Sequence, residues 1–220
     1  MNERRLSKEA EPLRQPFRSN FLIWLSLLFV FGGLTAGCAF GDLTIQVPNP
    51  TDTTGYSGGN DRVVIIPPFV DKRPRSRIGM KKNGYGMDTA NVLANQDISG
   101  WLGARLGNEL KAAGFRVNPS GENPTAAKIQ GFTHQVFIEP VMQWTTVDIE
   151  ADISVLIRVT RPDGLEAERR YYVKGLGQAL AAFDDTYAPS LGKASHDLMK
   201  RIVPDIINLL NRYPESQVRP

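Results

Sequence analysis

The stretch VDIEADISVLIRVT, residues 147–160, decides the fold. Its odd positions, Val147, Ile149, Ala151, Ile153, Val155, Ile157 and Val159, are all apolar. The even positions carry Asp148, Glu150, Asp152, Ser154, Arg158 and Thr160, with Leu156 the exception. Alternation with a period of two over this length predicts a β-strand, from about Trp144 to Thr160, with one face buried and the other wet. Carboxylates two apart on such a strand share a face at about 7 Å, a spacing also used by metal and acid–base sites. Here no His or Gly lies among them, so a solvated face paired with Arg or Lys of a neighbouring strand accounts for them better.

Working outward, Arg161-Pro162-Asp163-Gly164 reads as a turn, because Pro presets φ and Gly accepts a positive one. Leu165–Leu180 returns as the hairpin partner, with Tyr171, Val173 and Leu176 inward. Gly175 and Gly177 mark either a bulge or a close backbone contact. On the other side, Ala127–Glu139 predicts a strand of mixed phase: Ile129, Gly131, Thr133, Gln135 and Phe137 follow one alternation, Phe132, Val136 and Ile138 the other. The mixture predicts an irregularity near Gly131, and Pro140 should stop the strand.

Further upstream the period changes. Ile98, Trp101, Leu102, Leu106, Leu110 and Ala113 share one helical face, with Arg105, Asn108 and Lys111 off it. Asp97 is suited to the N-cap and Gly114 to the residue past the C-cap. Phe115–Val117 then alternates as a short strand, and Asn118–Thr125 reads as a turn. Before the helix, Val63–Ile66 is a buried strand stopped by Pro67-Pro68. A last helix spans about Pro189–Asn211 on the stripe Leu191, Ala194, Leu198, Ile202 and Ile206. Pro204 within it, at about 3 kcal/mol, predicts a kink or two helices end to end. The sum is an α+β domain: an antiparallel-rich sheet of four to five strands with two helices packed on one face.

Between the first strand and the first helix lies a segment rich in Arg, Lys and Gly that reads as a long loop. Lys72, Arg73, Arg75, Arg77, Lys81 and Lys82 make it a candidate surface for anionic lipid headgroups, lipid A phosphates or an acidic partner; a solvated basic loop also fits. Its glycines lack the spacing of a phosphate-binding loop.

The first forty residues have a different character. Arg4, Arg5, Lys8, Arg14 and Arg18 precede the dense apolar run Phe21–Phe31, which passes through Gly32-Gly33 and small residues to Cys38, the one cysteine in the chain. A basic start, an apolar centre and a small-residue exit form a secretory signal. Phe21–Phe40 is also long enough to span a bilayer uncleaved, and a plain signal is a third reading. Two features favour a lipoprotein signal: the apolar run is of h-region length, and Gly32-Gly33 lower helix propensity just after it. Leu34-Thr35-Ala36-Gly37-Cys38 resembles the bacterial lipobox, with Thr35 where a branched aliphatic residue usually stands. Cleavage between Gly37 and Cys38 would leave Cys38 to carry diacylglycerol and fatty acyl groups.

The chain holds 26 Lys and Arg against 23 Asp and Glu. Without residues 1–37 the balance is 21 to 20, so no global field calls for nucleic acid. A lone cysteine used as an anchor excludes disulfides and thiolate chemistry. His134 and His196 have no second His at metal-ligand spacing, and neither HExxH nor GxSxG occurs. No catalytic residue, metal or cofactor is expected. The organisation that follows is a signal peptide over 1–37, a flexible membrane tether over 38–61 with room for one short strand on the alternation Leu43, Ile45 and Val47, one periplasmic α+β domain over 62–213, and a loose tail over 214–220.

The strand VVIIPPFVD, the unit DISGWLGARLGNELKAAGFRV and the hairpin DIEADISVLIRVTRPDG with YYVKGLGQA together resemble the YajG-like family of bacterial lipoproteins over about Arg62–Leu210. That resemblance implies an envelope lipoprotein without known catalytic residues. Its expected partners are the lipid bilayer, through acylated Cys38, and an envelope protein. Ala39 after the cysteine points to the inner leaflet of the outer membrane, facing the periplasm. The expected role is accessory or docking; a carrier of a lipidic or glycan ligand is the alternative.

Overall fold

The computed structural model describes residues 41–49, 52–121, 123–143, 146–179 and 184–211. In chain order they form β1 (Leu43–Ile45), β2 (Val63–Ile65), β3 (Val70–Asp71), β4 (Gly79–Lys82), β5 (Asp88–Ala94), α1 (Ile98–Ala112), β6 (Arg116–Asn118), β7 (Ala127–Met142), β8 (Val147–Thr160), β9 (Glu166–Ala179), a 3-10 turn (Asp184–Thr186) and α2 (Tyr187–Asn211). The signal segment, Gly37, Cys38 and the C-terminal tail lie outside the described residues.

β7 is the axis of the sheet. Along one edge it pairs with β8 over its whole length, antiparallel, and β8 pairs in turn with β9. Along its other edge β2, β3 and β4 follow one another in parallel, opposite Ala127, Phe132 and Ile138 respectively. Residues 63–82 thus run beside β7 as one strand broken twice. β6 extends the sheet beside β2, and β5 and then β1 extend it beside β4. The sheet is therefore mixed and has nine strands among the described residues, against the four to five antiparallel-rich strands expected. The additional strands are two to seven residues long, too short for alternation to stand out.

The odd side chains of β8 face the core as expected, with Ile149, Ala151, Ile153 and Val155 fully buried. β7 explains its own mixed phase. Its pairing with β8 shifts between Thr133 and Gln135, so His134 is a bulge residue, and the buried set passes from Ile129 and Thr133 to Val136 and Ile138. The irregularity sits three residues after Gly131. Gly131 answers a different need: a Cβ there would lie 2.3 Å from the ring of Phe69, which is wedged between β7 and Gly103 of α1.

Pro140 does not end β7, which continues to Met142 opposite Val147. The Ile138 N–H donates to Ile78 C=O. The nitrogen of residue 140, two further on, faces the same edge, where proline has no hydrogen to give. Pro140 ends the pairing with β4, which consists of Gly79 opposite Ile138, and leaves β7 intact.

Both helices cover the face on which Phe69, Gly131 and the odd residues of β8 lie. α1 starts at Asp97, whose carboxylate accepts the Ser99 and Gly100 N–H groups at 3.0 and 2.9 Å. Its expected stripe is buried from Ile98 to Ala113. α2 runs unbroken across Pro204, and it seats directly on β9. A Cβ at Gly175 would lie 2.6 Å from the Ala194 nitrogen, and one at Gly177 would lie 2.3 Å from Ser190 Oγ. The β8–β9 register has no bulge, so the two glycines serve close contact. They occupy the inward positions after Tyr171 and Val173, which turns Leu176 outward, 43% exposed.

Residues 41–49 and 52–61, read from sequence as part of a flexible tether, lie on the domain. β1 pairs with β5, and Ile45 and Val47 are buried. Trp101 Nε1 donates to Pro48 C=O at 2.9 Å, and the Gly59 N–H donates to Ala113 C=O at 2.8 Å. The strap also reaches the far end of the chain. Tyr56 OH donates to Lys200 C=O, and Arg62 Nη1 donates to Leu210 C=O at 2.5 Å. Only the alternation of Leu43, Ile45 and Val47 signals this in the sequence.

Candidate functional site

Among the described residues, no group of three His, Asp or Glu side chains is placed to hold a metal ion, and no helix is long and apolar enough to cross a membrane. The two histidines lie apart in different surroundings. His196, on α2, meets Arg105 of α1 and Asp52 of the strap. Arg105 Nη2 lies 3.3 Å from His196 Nδ1. Arginine can only donate, so that contact needs Nδ1 as the acceptor. Asp52 Oδ2 lies 3.5 Å from the same nitrogen.

Arg105 was expected on the exposed side of α1, but it is buried together with Glu109, because the strap and α2 cover that flank. The two side chains pair at 3.5 Å. Burial pulls the Arg105 guanidinium below its ordinary value, while Glu109 and Asp52 oppose that shift. The cluster fastens the strap to the helices and borders only a small pocket of about 60 Å³.

The sheet face opposite the helices is ion-paired, as the alternation in β8 predicted. Lys174 on β9 pairs with Glu150, Tyr172 OH donates to Asp152 at 2.7 Å, and Arg158 pairs with Glu168 while lying 5.6 Å from the Phe132 ring centre. These hydrogen bonds hold the Lys174 ammonium and the Tyr172 phenol above their usual values. On the helix side, a cleft of about 280 Å³ between β9 and α2 contains Asp205, which accepts from Arg169 at 2.6 Å and Tyr171 OH at 2.8 Å. Burial, and then the bond to Asp205, push the Tyr171 phenol well above its ordinary range.

The six basic residues of the expected loop separate. Lys81 and Lys82 belong to β4, and Lys82 pairs with Glu139. The hairpin that follows exposes Tyr85 and Met87 at its tip. Lys72, Arg73, Arg75 and Arg77 lie in the connection from β3 to β4, where residues 73–77 leave the edge of β7 between the bond from Lys72 N–H to Thr133 C=O and the bond from Ile138 N–H to Ile78 C=O. Arg73, Arg75 and Arg77 come together with His134, Gln135 and Phe137 around a cleft of about 330 Å³. Lys72 does not line it.

The donors in that cleft are unevenly satisfied. Arg73 grips Asp71 through Nε and Nη2, the latter at 2.7 Å, and this holds the Asp71 carboxyl below its usual range. Arg77 Nη1 reaches Met80 Sδ and Asn91 Oδ1. Arg73 Nη1, Arg77 Nε and His134 Nε2 are buried with no hydrogen-bond partner among the described residues. Such groups cost about 1–3 kcal/mol each when left unsatisfied. Sequence reading singled out the arginines but not His134, which a bulge brings to their side.

Comparison with known proteins follows the fold. Residues 62–207 match a family described as uncharacterized lipoprotein. The chain belongs to this family, the YajG-like lipoproteins. Membership implies a membrane-anchored protein of the cell envelope. A Xanthomonas campestris protein of family DUF330 is 13% identical, with 76% of this chain and 93% of that one covered and a TM-score of 0.50; the likeness is one of fold. Two weaker likenesses carry no argument. A Helicobacter pylori homolog of a neuraminyllactose-binding hemagglutinin is 11% identical, covering 72% and 92% at a TM-score of 0.42. A Neisseria meningitidis lipoprotein is 12% identical, covering 69% and 99% at 0.31. No curated protein matches the chain in sequence.

Proposed function

We propose that the protein is a lipid-anchored, non-catalytic component of the bacterial envelope that docks onto an envelope complex from the periplasmic side of the outer membrane. The observation that carries this reading is membership of a lipoprotein family in a chain whose single cysteine, Cys38, directly follows an apolar run and small residues. Acylation of Cys38 leaves residues 39–42 before β1. β1 runs parallel to β5 with Leu43 opposite Val92, so the chain enters β1 from the side of the β4–β5 hairpin. Exposed Tyr85 and Met87 suit that end to an interface with the bilayer.

Metabolic labelling with a fatty-acid analogue tests the anchor. Wild type should take up label and Cys38→Ala should not; equal uptake by both would overturn the reading. Crosslinking in intact cells tests docking, with one stoichiometric envelope partner expected. A carrier of lipidic or glycan ligands is the alternative, and native mass spectrometry that finds retained lipid and no partner would favour it.

A further inference from the structure

We infer that the arginine cleft beside the β7 bulge binds a phosphate group carried on a small, partly apolar ligand. Three side chains that each carry a buried nitrogen without a partner among the described residues line one cleft: Arg73, Arg77 and His134. The Arg73 side chain is 8% exposed, and Asp71 occupies its Nε and Nη2, leaving Nη1 as the remaining corner of the fork. Arg75, exposed at the rim, is the group an incoming anion meets first. These nitrogens are closed off from solvent in the unliganded protein, so direct contact with the ligand requires the cleft to open around them.

The charge balance selects the ligand. Asp71 neutralises Arg73. No acid among the described residues pairs with Arg75 or Arg77, so two positive charges are left over. A phosphate monoester carries about −1.5 to −2 at neutral pH and offers three oxygens, which matches both the charge and the number of donors better than a carboxylate. Guanidinium forks suit its geometry. Val136 and Phe137 give the same cleft an apolar wall, which an inorganic ion alone would leave unused. This inference stands on residues 71–77 and 134–137 and does not depend on acylation of Cys38.

Thermal melting of the full chain in detergent at matched ionic strength tests it, because a ligand of the folded state raises the midpoint by mass action. The probes are inorganic phosphate and phenyl phosphate, a phosphomonoester with an apolar group. The wild-type midpoint should rise with one or both. Arg75→Gln and Arg77→Gln should need about tenfold more probe for the same rise, while Lys111→Gln, remote from the cleft, should behave as wild type. A rise at lower concentration with phenyl phosphate than with inorganic phosphate supports a phosphomonoester with an apolar part; a rise with inorganic phosphate alone overturns the apolar part of the inference. Arg75→Gln has an exposed side chain, so its unliganded midpoint should match wild type and separate binding from folding. No rise with either probe, or equal rises in wild type and both arginine variants, overturns the inference.

Discussion

Thr54 donates both its backbone N–H and its hydroxyl to one oxygen of Glu109, each at 2.8 Å. The pair joins the segment between β1 and β2 to the last turn of α1. Glu109 is 3% exposed and Arg105, its neighbour one turn earlier, 5%. Removing the carboxylate would leave the Arg105 cation buried without its ion-pair partner. Glu109→Ala should therefore lower stability by about 3–5 kcal/mol, and Thr54→Val by about 1 kcal/mol. Urea denaturation of the full chain measures both, and a loss near zero for Glu109→Ala would show that the strap is not held this way.

A methyl group at position 131 would meet the Phe69 ring at 2.3 Å. Gly131→Ala should destabilise by about 1–3 kcal/mol through overpacking. Combining it with Phe69→Leu, which removes the ring, should give a loss smaller than the sum of the two single changes. Strict additivity in the double-mutant cycle would mean that the two positions do not meet.

Tyr171 has a linkage of definite sign. Its folded-state value lies above the unfolded value of about 10. The stability it contributes is complete below about pH 10 and is lost as pH rises above that, because the unfolded chain releases the phenolic proton while the folded chain retains it. Denaturation midpoints should fall through this window in wild type and fall less in Tyr171→Phe. Some slope should survive from Tyr172, which is shifted in the same direction. Parallel curves for the two proteins would contradict the assignment.

Asp97 accepts two N–H groups at the start of α1. Asp97→Ala should cost about 1 kcal/mol, and Asp97→Asn should recover most of it. Chemical denaturation of the two variants side by side distinguishes a cap from a surface charge, since a purely electrostatic role would make Asn as costly as Ala.

The legible parts of this fold were the long, periodic ones. The alternation from Val147 to Val159, the stripe from Ile98 to Ala113 and the pair Gly175 and Gly177 each led to the right element or contact. What escaped notice was set by partners distant in sequence. β3 and β4 exist because the edge of β7 accepts them, and nothing local to Val70-Asp71 announces a strand. Arg105 and Glu109 look like surface residues on a helical wheel until residues 52–54 cross over them. At the cleft the arginines were visible as a basic run. His134 was not, because its place depends on a bulge that appears in the sequence only as two conflicting phases on β7.

Arg62 grips the last turn of α2 through Leu210 and Asn211, 148 and 149 positions further along. The strap ahead of it crosses the same helix at Lys200. The beginning of the domain thus rests on its end, and those contacts have no surface to form on until the final helix exists. A growing chain can make the β8–β9 hairpin while synthesis is still under way, but it cannot close the strap. Loss of even the last two turns of α2 would be felt first some 150 residues upstream, as a loosened strap.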